Sequence, residues 1–571
     1  MRVKRFILKF DMQPKNQEKN CNIDLLVETS WEVCNKIGGI YTVLSTKARV
    51  LQEKFGDKLV FIGPDTSNGK EDNSYFIEDP DILNGFSQKS FLPFGIKVRS
   101  GKWNIPGSPQ VLLVSFNEVY KELDKVFGLM WEQFGVNSLN EYGDYREGCA
   151  FSVASAITCY HLSSFLKVEG KNVIMHFNEW TTGMGLLYLR HIFPKAASIF
   201  TTHATSIGRS ICGNGKPLYD YFYGYNGDQM ARELNMEAKH SLEKTAAYYS
   251  DCFTAVSEIT ARECEQLLEK SPDVVTPNGF EPDFVPGEKK YSDLRTKGRE
   301  KIIKIASALK NKVFPEDIFI VATSGRNEYH NKGIDIFLDS LKELEKKNPE
   351  KQLIALILVP AWVKEPSSGL LKKLNNRQEE ESFPNYLTHR LNNEEVDLIS
   401  CRIKALEEEG EIGNNINVIY VPCYLNGGDG IINISYYDIL PAIDLTVFPS
   451  YYEPWGYTPL ESIAFGVPTI TSDKSGFGQW ILSNFINSFE SCGVKVIGRT
   501  DSNYIDFANE AASQINSVVG LTEEEKETIS LKAKRTAEKA DWKYFLKYYE
   551  EAFEIALNKR DQRLEKSKYQ F

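Results

Sequence analysis

Short β-branched runs alternate with helix-length periodic segments twice along this chain, and this double alternation constrains the fold more than any other feature. The first series of runs covers residues 25–27, 59–62, 110–116, 172–177, 197–202 and 252–256, with helical patterns at 40–55, 149–166, 233–249 and 258–268. Such alternation predicts parallel sheets covered by helices. After Thr276-Pro277-Asn278-Gly279 it breaks into a charged stretch containing Pro and Gly, residues 281–300, which reads as a hinge. It restarts with runs at 318–322, 353–359, 418–421, 445–448 and 469–471 and a helix at 334–346. The expected fold class is α/β with two doubly wound domains, residues 1–285 and 286–540. A polar insertion is expected at about 364–409, and an aromatic helix with a charged tail at 541–571 is expected to pack back near the first domain.

Length agrees with this division, since 571 residues exceed the ~100–200 of one typical core. The formal charge of −11 disfavours a general nucleic-acid binder, so any phosphate site must be local. The longest apolar run, residues 353–363, contains Pro360 and falls short of the ~18 residues of a membrane span. The basic N-terminus has only Phe6-Ile7-Leu8 where a signal peptide needs roughly 7–15 apolar residues, which predicts a cytoplasmic protein. Ten scattered cysteines include no C-x-x-C pair and no zinc spacing; reduced, buried thiols are expected.

In open α/β sheets ligands bind at the carboxyl ends of strands, so the loops there carry the chemistry. Lys36-Ile37-Gly38-Gly39 follows the first run and opens a helix, where glycines permit close backbone approach and helix-terminal N–H groups face an anion. Residues 180–219 hold no Asp or Glu but include Arg190, His191, Lys195, His203, Arg209 and Lys216, which predicts a locally positive field. His203 lies just past a strand, positioned to donate a hydrogen bond to a ligand oxygen.

In the second half, Ser324-Gly325-Arg326 ends a strand and Lys332 precedes a helix. Together they can grip a diphosphate, the guanidinium as a bidentate fork and the ammonium as a point charge. The densest signal is the segment from Phe448 to Glu461, FPSYYEPWGYTPLE. Thr458 is the expected N-cap with Pro459 at the first helical position, and Glu461 completes a capping-box pattern. Glu453 lies outside that helix and has no capping role. The N–H groups of Trp455, Gly456, Tyr457 and Thr458 are expected to face a sugar hydroxyl or phosphate. Asp79-Pro80-Asp81 reads as a solvated turn, and Gly183-Met184-Gly185 completes only part of a dinucleotide fingerprint.

At these loops the chain closely resembles the animal and fungal glycogen synthases. The resemblance rests on residues 31–44, the His203/Arg209 loop, Val275 to Gly279, Gly325-Arg326 through Gly333, residues 450–459 and Asp541-Trp542-Lys543-Tyr544. It implies a GT-B fold of two facing Rossmann-like domains with an interdomain cleft, the first on the acceptor side and the second binding the nucleotide sugar. It also implies retaining transfer of glucose from UDP-glucose to the 4-hydroxyl end of an α-1,4-glucan such as glycogen, without metal or cofactor. In this reading Arg326 and Lys332 hold the pyrophosphate, His203 and Glu453 contact the glucose, and Glu461 binds the ribose. Arg209 and Asn278 act on the donor side, Tyr436 stacks on uracil, and the Lys36/Gly38/Gly39 loop faces the diphosphate. Glu179 is the acceptor-side candidate.

The chain departs from the family in places. The family's His-Glu-Trp reads Asn178-Glu179-Trp180, and the arginine cluster of the glucose-6-phosphate switch is reduced to Arg535 among lysines. Residues 1–20 contain no Ser or Thr, and the last thirty-one contain only Ser567, which disfavours regulation by tail phosphorylation. Homo-oligomerisation stays open. The competing readings are a transferase using ADP-glucose or another nucleotide sugar, and a catalytically silent glucan-binding scaffold; neither a nucleic-acid nor a membrane partner is expected.

Overall fold

The computed structural model describes residues 22–67, 73–375 and 383–568. Among these, residues 22–281 with 540–568 form one compact unit and residues 282–539 another.

The first unit is built on a nine-stranded sheet: β1 (Leu25–Thr29), β2 (Leu59–Pro64), β3 (Phe76–Glu78), β4 (Lys97–Trp103), β5 (Gln110–Ser115), β6 (Val173–Asn178), β7 (Ala197–Thr202), β8 (Cys252–Ala255) and β9 (Val274–Val275). The order is β3-β4-β5-β2-β1-β6-β7-β8-β9, antiparallel only where β4 meets β3 and β5. Chain order reverses between β1 and β6, so ligands are expected where those two strands end.

Register decides which polar groups meet. Glu28 lies opposite His176, Asn178 opposite Thr201, and Thr201 opposite Thr254. Side chains alternate along a strand, so His176 and Asn178 share one face while Met175 and Phe177 point to the other. That other face joins Val27, Phe200 and Phe253 in the apolar core. The helices Gly39–Phe55 and Trp542–Lys568 cover the polar row. The first supplies Lys47 to Glu28, and the second lays Tyr549 over the Lys47 ammonium, 4.3 Å from its ring centre. Trp542 is fully buried and its indole Nε1 donates to Thr46 Oγ1 at 2.8 Å.

The second unit contains β10 (Phe319–Ser324), β11 (Leu353–Leu358), β12 (Val363–Pro366), β13 (His389–Leu391), β14 (Ile416–Val421), β15 (Leu445–Phe448), β16 (Thr469–Ser472) and β17 (Val494–Ile497). Six of them make an all-parallel sheet in the order β14-β11-β10-β15-β16-β17, the doubly wound arrangement with its reversal between β10 and β15. These strands are buried along almost their whole length, and β11, Leu353–Leu358, is a continuous apolar run, as expected of a parallel sheet covered on both faces.

The stretch read as a hinge, 281–300, contains the division between the two units at 281/282, but from Glu288 it belongs to one 23-residue helix, Glu288–Lys310. Its charges have tertiary partners: Arg295 and Arg299 pair with Asp444 at 2.7 and 2.9 Å and donate to the Pro441, Ala442 and Ile318 carbonyls. Gly298 allows close packing, because a Cβ there would sit 2.8 Å from Ala442 Cβ. Residues 364–409 contain most of the β12–β13 hairpin and the helices Ser368–Leu374 and Leu398–Glu408; 376–382 lie outside the described residues. Nine cysteines among the described residues are free thiols, seven of them buried, and no described helix is long and apolar enough to cross a membrane.

Candidate functional site

In the second unit the loops after β10 and β15 meet at the sheet's reversal point. Gly325 turns the chain out of β10 at φ +147°, and the Lys332 side chain passes over it. Gly333 caps the helix Ile334–Lys346 at φ +70°, where a Cβ would lie 2.0 Å from the Pro449 carbonyl oxygen. Only glycine lets the two loops approach so closely. Tyr451 and Tyr452 then donate their N–H groups to the Asn331 carbonyl at 2.8 and 3.0 Å. Behind them the buried Arg499 places its guanidinium over the Tyr451 ring and donates to the Pro449 carbonyl.

This framework brings Lys332 Nζ onto Glu453 Oε2 as an ion pair, with both side chains mostly buried. Glu453 is fixed from its other side, where its carbonyl accepts from Gly476 N–H at 3.1 Å, and the Trp455 carbonyl accepts from Phe477 N–H at 2.7 Å. Arg326 is half exposed, its Nη2 3.0 Å from Glu328. Tyr436, half-buried, bonds Ser324 Oγ through its hydroxyl at 2.9 Å, which ties the expected uracil platform to the end of β10.

Three sequence expectations fail at the next helix. It runs Tyr457–Ala464 with Gly456 at the N-cap in a left-handed conformation, φ +105°, so Thr458 lies inside the helix and is not its cap, and Pro459 is its third residue and not its first. Glu461 forms no capping box with Thr458: its Oε1 accepts from Tyr437 Oη–H at 2.7 Å. The turn is tight enough that glycine replaces the usual side-chain cap, which frees Glu461 for a tertiary contact.

In the first unit, Gly38 is the N-cap and Gly39 the first residue of the helix after β1. The Gly38 and Tyr41 N–H groups are not free, since both donate to Glu32 Oε2 at 2.7 and 2.9 Å. An internal carboxylate thus occupies part of the anion-binding end. Lys36 is exposed, with its ammonium 5.6 Å from the Tyr41 ring centre.

At the end of β6, Glu179 holds φ +74° and ψ 164°, a region that costs a non-glycine residue about 1–3 kcal/mol and is concentrated at functional sites. Burial, with the Glu243 charge adding to it, pushes the Glu179 carboxyl up to about 8 against the opposing pull of Arg209. Burial likewise raises Glu243 to about 7.

Acidic side chains from other elements enter the region of 180–219, which the composition of that stretch alone does not count. Glu243 Oε2 accepts from Ser206 N–H and Oγ–H at 2.9 and 2.5 Å, and Glu263 Oε2 accepts from Thr205 Oγ1–H at 2.8 Å. His203 is buried, with Nε2 3.1 Å from Asn178 Oδ1; burial and the nearby Lys47 and His176 lower it to about 3, so it is neutral. Asn278, in the loop after β9, is buried with Oδ1 unpartnered among the described residues, an unmet acceptor of the kind a ligand donor relieves.

Sequence reasoning missed Glu28, Lys47, His176, Glu32 and Arg499 and noted Asn178 only as a departure. Ionisable groups inside runs otherwise as apolar as β1 and β6 were the available signal. His389, Cys423 and Asp429 bring ligand-type atoms within 4.8 Å of one another, but this is a closed loop motif. The Asp429 carboxylate accepts from the Ile431, Ile432 and Asn433 N–H groups, and His389 spends Nε2 on the Asp429 carbonyl and Nδ1 on Thr388 Oγ1.

The family model described as Glycogen synthase matches residues 28–372 and 363–568. The human liver glycogen [starch] synthase is 28% identical over 600 residues, covering 94% of this chain and 84% of that protein. The glycogen [starch] synthase of Dictyostelium discoideum is also 28% identical, with coverages of 96% and 68%, and that of Neurospora crassa is 26% identical, with 94% and 84%. Among solved structures, the catalytic domain of Arabidopsis thaliana Starch Synthase IV bound to ADP and acarbose aligns with a TM-score of 0.54 at 17% identity, covering 94% of this chain and all of that one. The Candida albicans trehalose-6-phosphate phosphatase N-terminal domain aligns at 0.51 with 13% identity, covering 95% and 98%. These structural likenesses concern the fold, which is GT-B.

Proposed function

The chain belongs to the glycogen synthase family, and from that premise we propose that it is a metal-independent, retaining glucosyltransferase that extends an α-1,4-glucan from UDP-glucose in the cytoplasm. The observation that carries this reading is the Lys332–Glu453 pair, set beside Gly325-Arg326 at the reversal point of the second sheet. A diphosphate needs fixed cations and a hexose needs a hydroxyl acceptor; this loop pair holds both kinds of group in contact.

In the proposed reaction the bond between glucose C1 and the β-phosphate oxygen breaks, with Arg326, Lys332 and the N–H groups from Trp455 to Thr458 meeting the charge that develops on UDP. The acceptor 4-hydroxyl attacks C1 from the face UDP is leaving, and its proton passes to the departing phosphate. Glu453 positions the glucose; its engagement with Lys332 supports this role over that of a covalent nucleophile. Glu461 with Tyr437 is proposed for the ribose and Tyr436 for the uracil. His203, Arg209 and Asn278 are proposed for the donor, the Lys36/Gly38/Gly39 loop for its diphosphate, and the strained Glu179 for the acceptor.

The test is incorporation of labelled glucose into glycogen, with UDP-glucose and ADP-glucose side by side, each with added magnesium and in excess EDTA. Transfer from UDP-glucose is expected. Preference for ADP-glucose would reassign the donor, dependence on a divalent ion would remove metal independence, and failure with both donors would favour a glucan-binding scaffold.

A further inference from the structure

Beneath His203 runs a chain of buried polar groups that no proposed step uses, and its obligate donors and acceptors fix one proton. Burial alone would raise the Glu28 carboxyl, but His176 and Lys47 outweigh it and keep it below the ordinary carboxylate range, so Glu28 is ionised and only accepts. Its Oε1 accepts from Lys47 Nζ at 3.0 Å and from His176 Nδ1 at 3.1 Å, and its Oε2 accepts from Asn178 Nδ2 at 3.3 Å. The same Nδ2 donates to the Thr29 carbonyl at 3.2 Å. A carbonyl and a carboxylate cannot donate, so the amide nitrogen of Asn178 must face them and its Oδ1 must face His203. An amide oxygen cannot donate either. The proton of the 3.1 Å contact therefore sits on His203 Nε2.

We infer that Asn178 holds His203 as the Nε2–H tautomer, so that its unprotonated Nδ1, which has no hydrogen bond among the described residues, accepts a hydrogen bond from a hydroxyl of the donor sugar. This rests on the proposed role of His203 toward the donor, and it reverses the polarity expected from sequence, where the imidazole was the donor. The neutral state that burial imposes agrees, since an imidazolium would have no lone pair to offer. The arrangement also gives a physical meaning to the departure at position 178. An imidazole can exchange its donor and acceptor nitrogens, whereas an amide anchored by Glu28 and Thr29 cannot. Asn178 is thus a positioning residue: it acts on the sugar only through His203.

The experiment reads the proton directly. The ring nitrogens of protein labelled with 15N at histidine are observed by long-range 1H–15N correlation, and the His203 signal, one of seven, is identified by its loss in His203→Gln. The Nε2–H pattern is expected; an Nδ1–H pattern or a doubly protonated ring near pH 7 would overturn the inference. In Asn178→Leu the His203 signal should lose its Nε2–H pattern, and kcat/KM should fall about tenfold, the loss of roughly one neutral hydrogen bond. Asn178→Asp, its carboxyl protonated on the oxygen that must donate to Glu28 and the Thr29 carbonyl, keeps an acceptor toward His203 and should retain Nε2–H even if the leucine variant fails to fold. Monofluorinated UDP-glucoses, each lacking one hydroxyl proton, separate the two layers of the argument. One should be poor for the parent enzyme and no worse than UDP-glucose for His203→Ala. If none behaves so while Nε2–H is seen, the donor role of His203 fails and the tautomer assignment stands.

Discussion

Lys332 and Glu453, 121 positions apart in the chain, form an ion pair between the loops that follow β10 and β15. The proposed diphosphate cation and the proposed sugar carboxylate are therefore coupled through each other. Lys332→Ala and Glu453→Gln are each expected to lower kcat/KM by on the order of 10²–10³. Groups that act as a unit are non-additive, so the double variant should lose little beyond the worse single one. Steady-state kinetics with UDP-glucose and glycogen measure this, and fully additive losses would show that the pair does not act together.

Gly333→Ala should destabilise the second unit by more than about 2 kcal/mol, because it adds a methyl group against the Pro449 carbonyl at a left-handed backbone position. Gly39→Ala is the matched control: nothing lies within 4 Å of its Cβ position, so stability should hold or rise slightly. Its activity then reports whether a ligand approaches that backbone. Urea midpoints of the two variants give the comparison.

Stability should decline as pH rises from about 6.5 to 8. Glu179 and Glu243 have folded-state values raised to about 8 and 7 from an unfolded value of 4.5. Each thus contributes stability that is complete below 4.5 and is lost as pH climbs through the folded value, at up to about 1.4 kcal/mol per pH unit for a carboxyl still protonated. His203 works on the other side: its value is lowered from 6.5 to about 3, so its contribution is complete above 6.5 and is lost as pH falls toward 3. Urea unfolding at pH 6.5 and 8.5 isolates the carboxyls, and Glu243→Gln should flatten the decline. An unchanged slope in that variant would assign the protons elsewhere.

Neither EDTA nor added zinc should change activity, and Cys423→Ser should leave it at the parent level, because His389 and Asp429 already spend their ligand atoms within the loop. Tight zinc binding by the parent and not by Cys423→Ser would contradict that reading.

The parallel strands were legible because runs such as Leu353–Leu358 are apolar on both faces. The 448–461 segment was legible as a strand-to-helix connection because glycine, proline and aromatic residues stand between the strand run ending at Phe448 and the helix Tyr457–Ala464. The helix Glu288–Lys310 was hidden by its charges, whose partners Asp444 and the 441–442 carbonyls lie far along the chain. The network under His203 was also illegible, because it draws one or two residues each from β1, β6, β7, β8 and the helix Gly39–Phe55 and exists only once the register aligns them. The acid-free stretch is incomplete for the same reason: linear composition does not count the carboxyl groups that Glu243 and Glu263 bring in from elsewhere.

The return of residues 540–568 to the unit formed by 22–281 sets an order of events at the ribosome. Trp542 and Tyr549 seal a face whose strands emerge early, yet they are made only after the whole of 282–539. The half of the chain born first is thus the last to be finished, and until then the charged pair Lys47–Glu28 lacks its aromatic lid. A released chain ending at residue 539 would hold every element of the second unit and an unsealed first one.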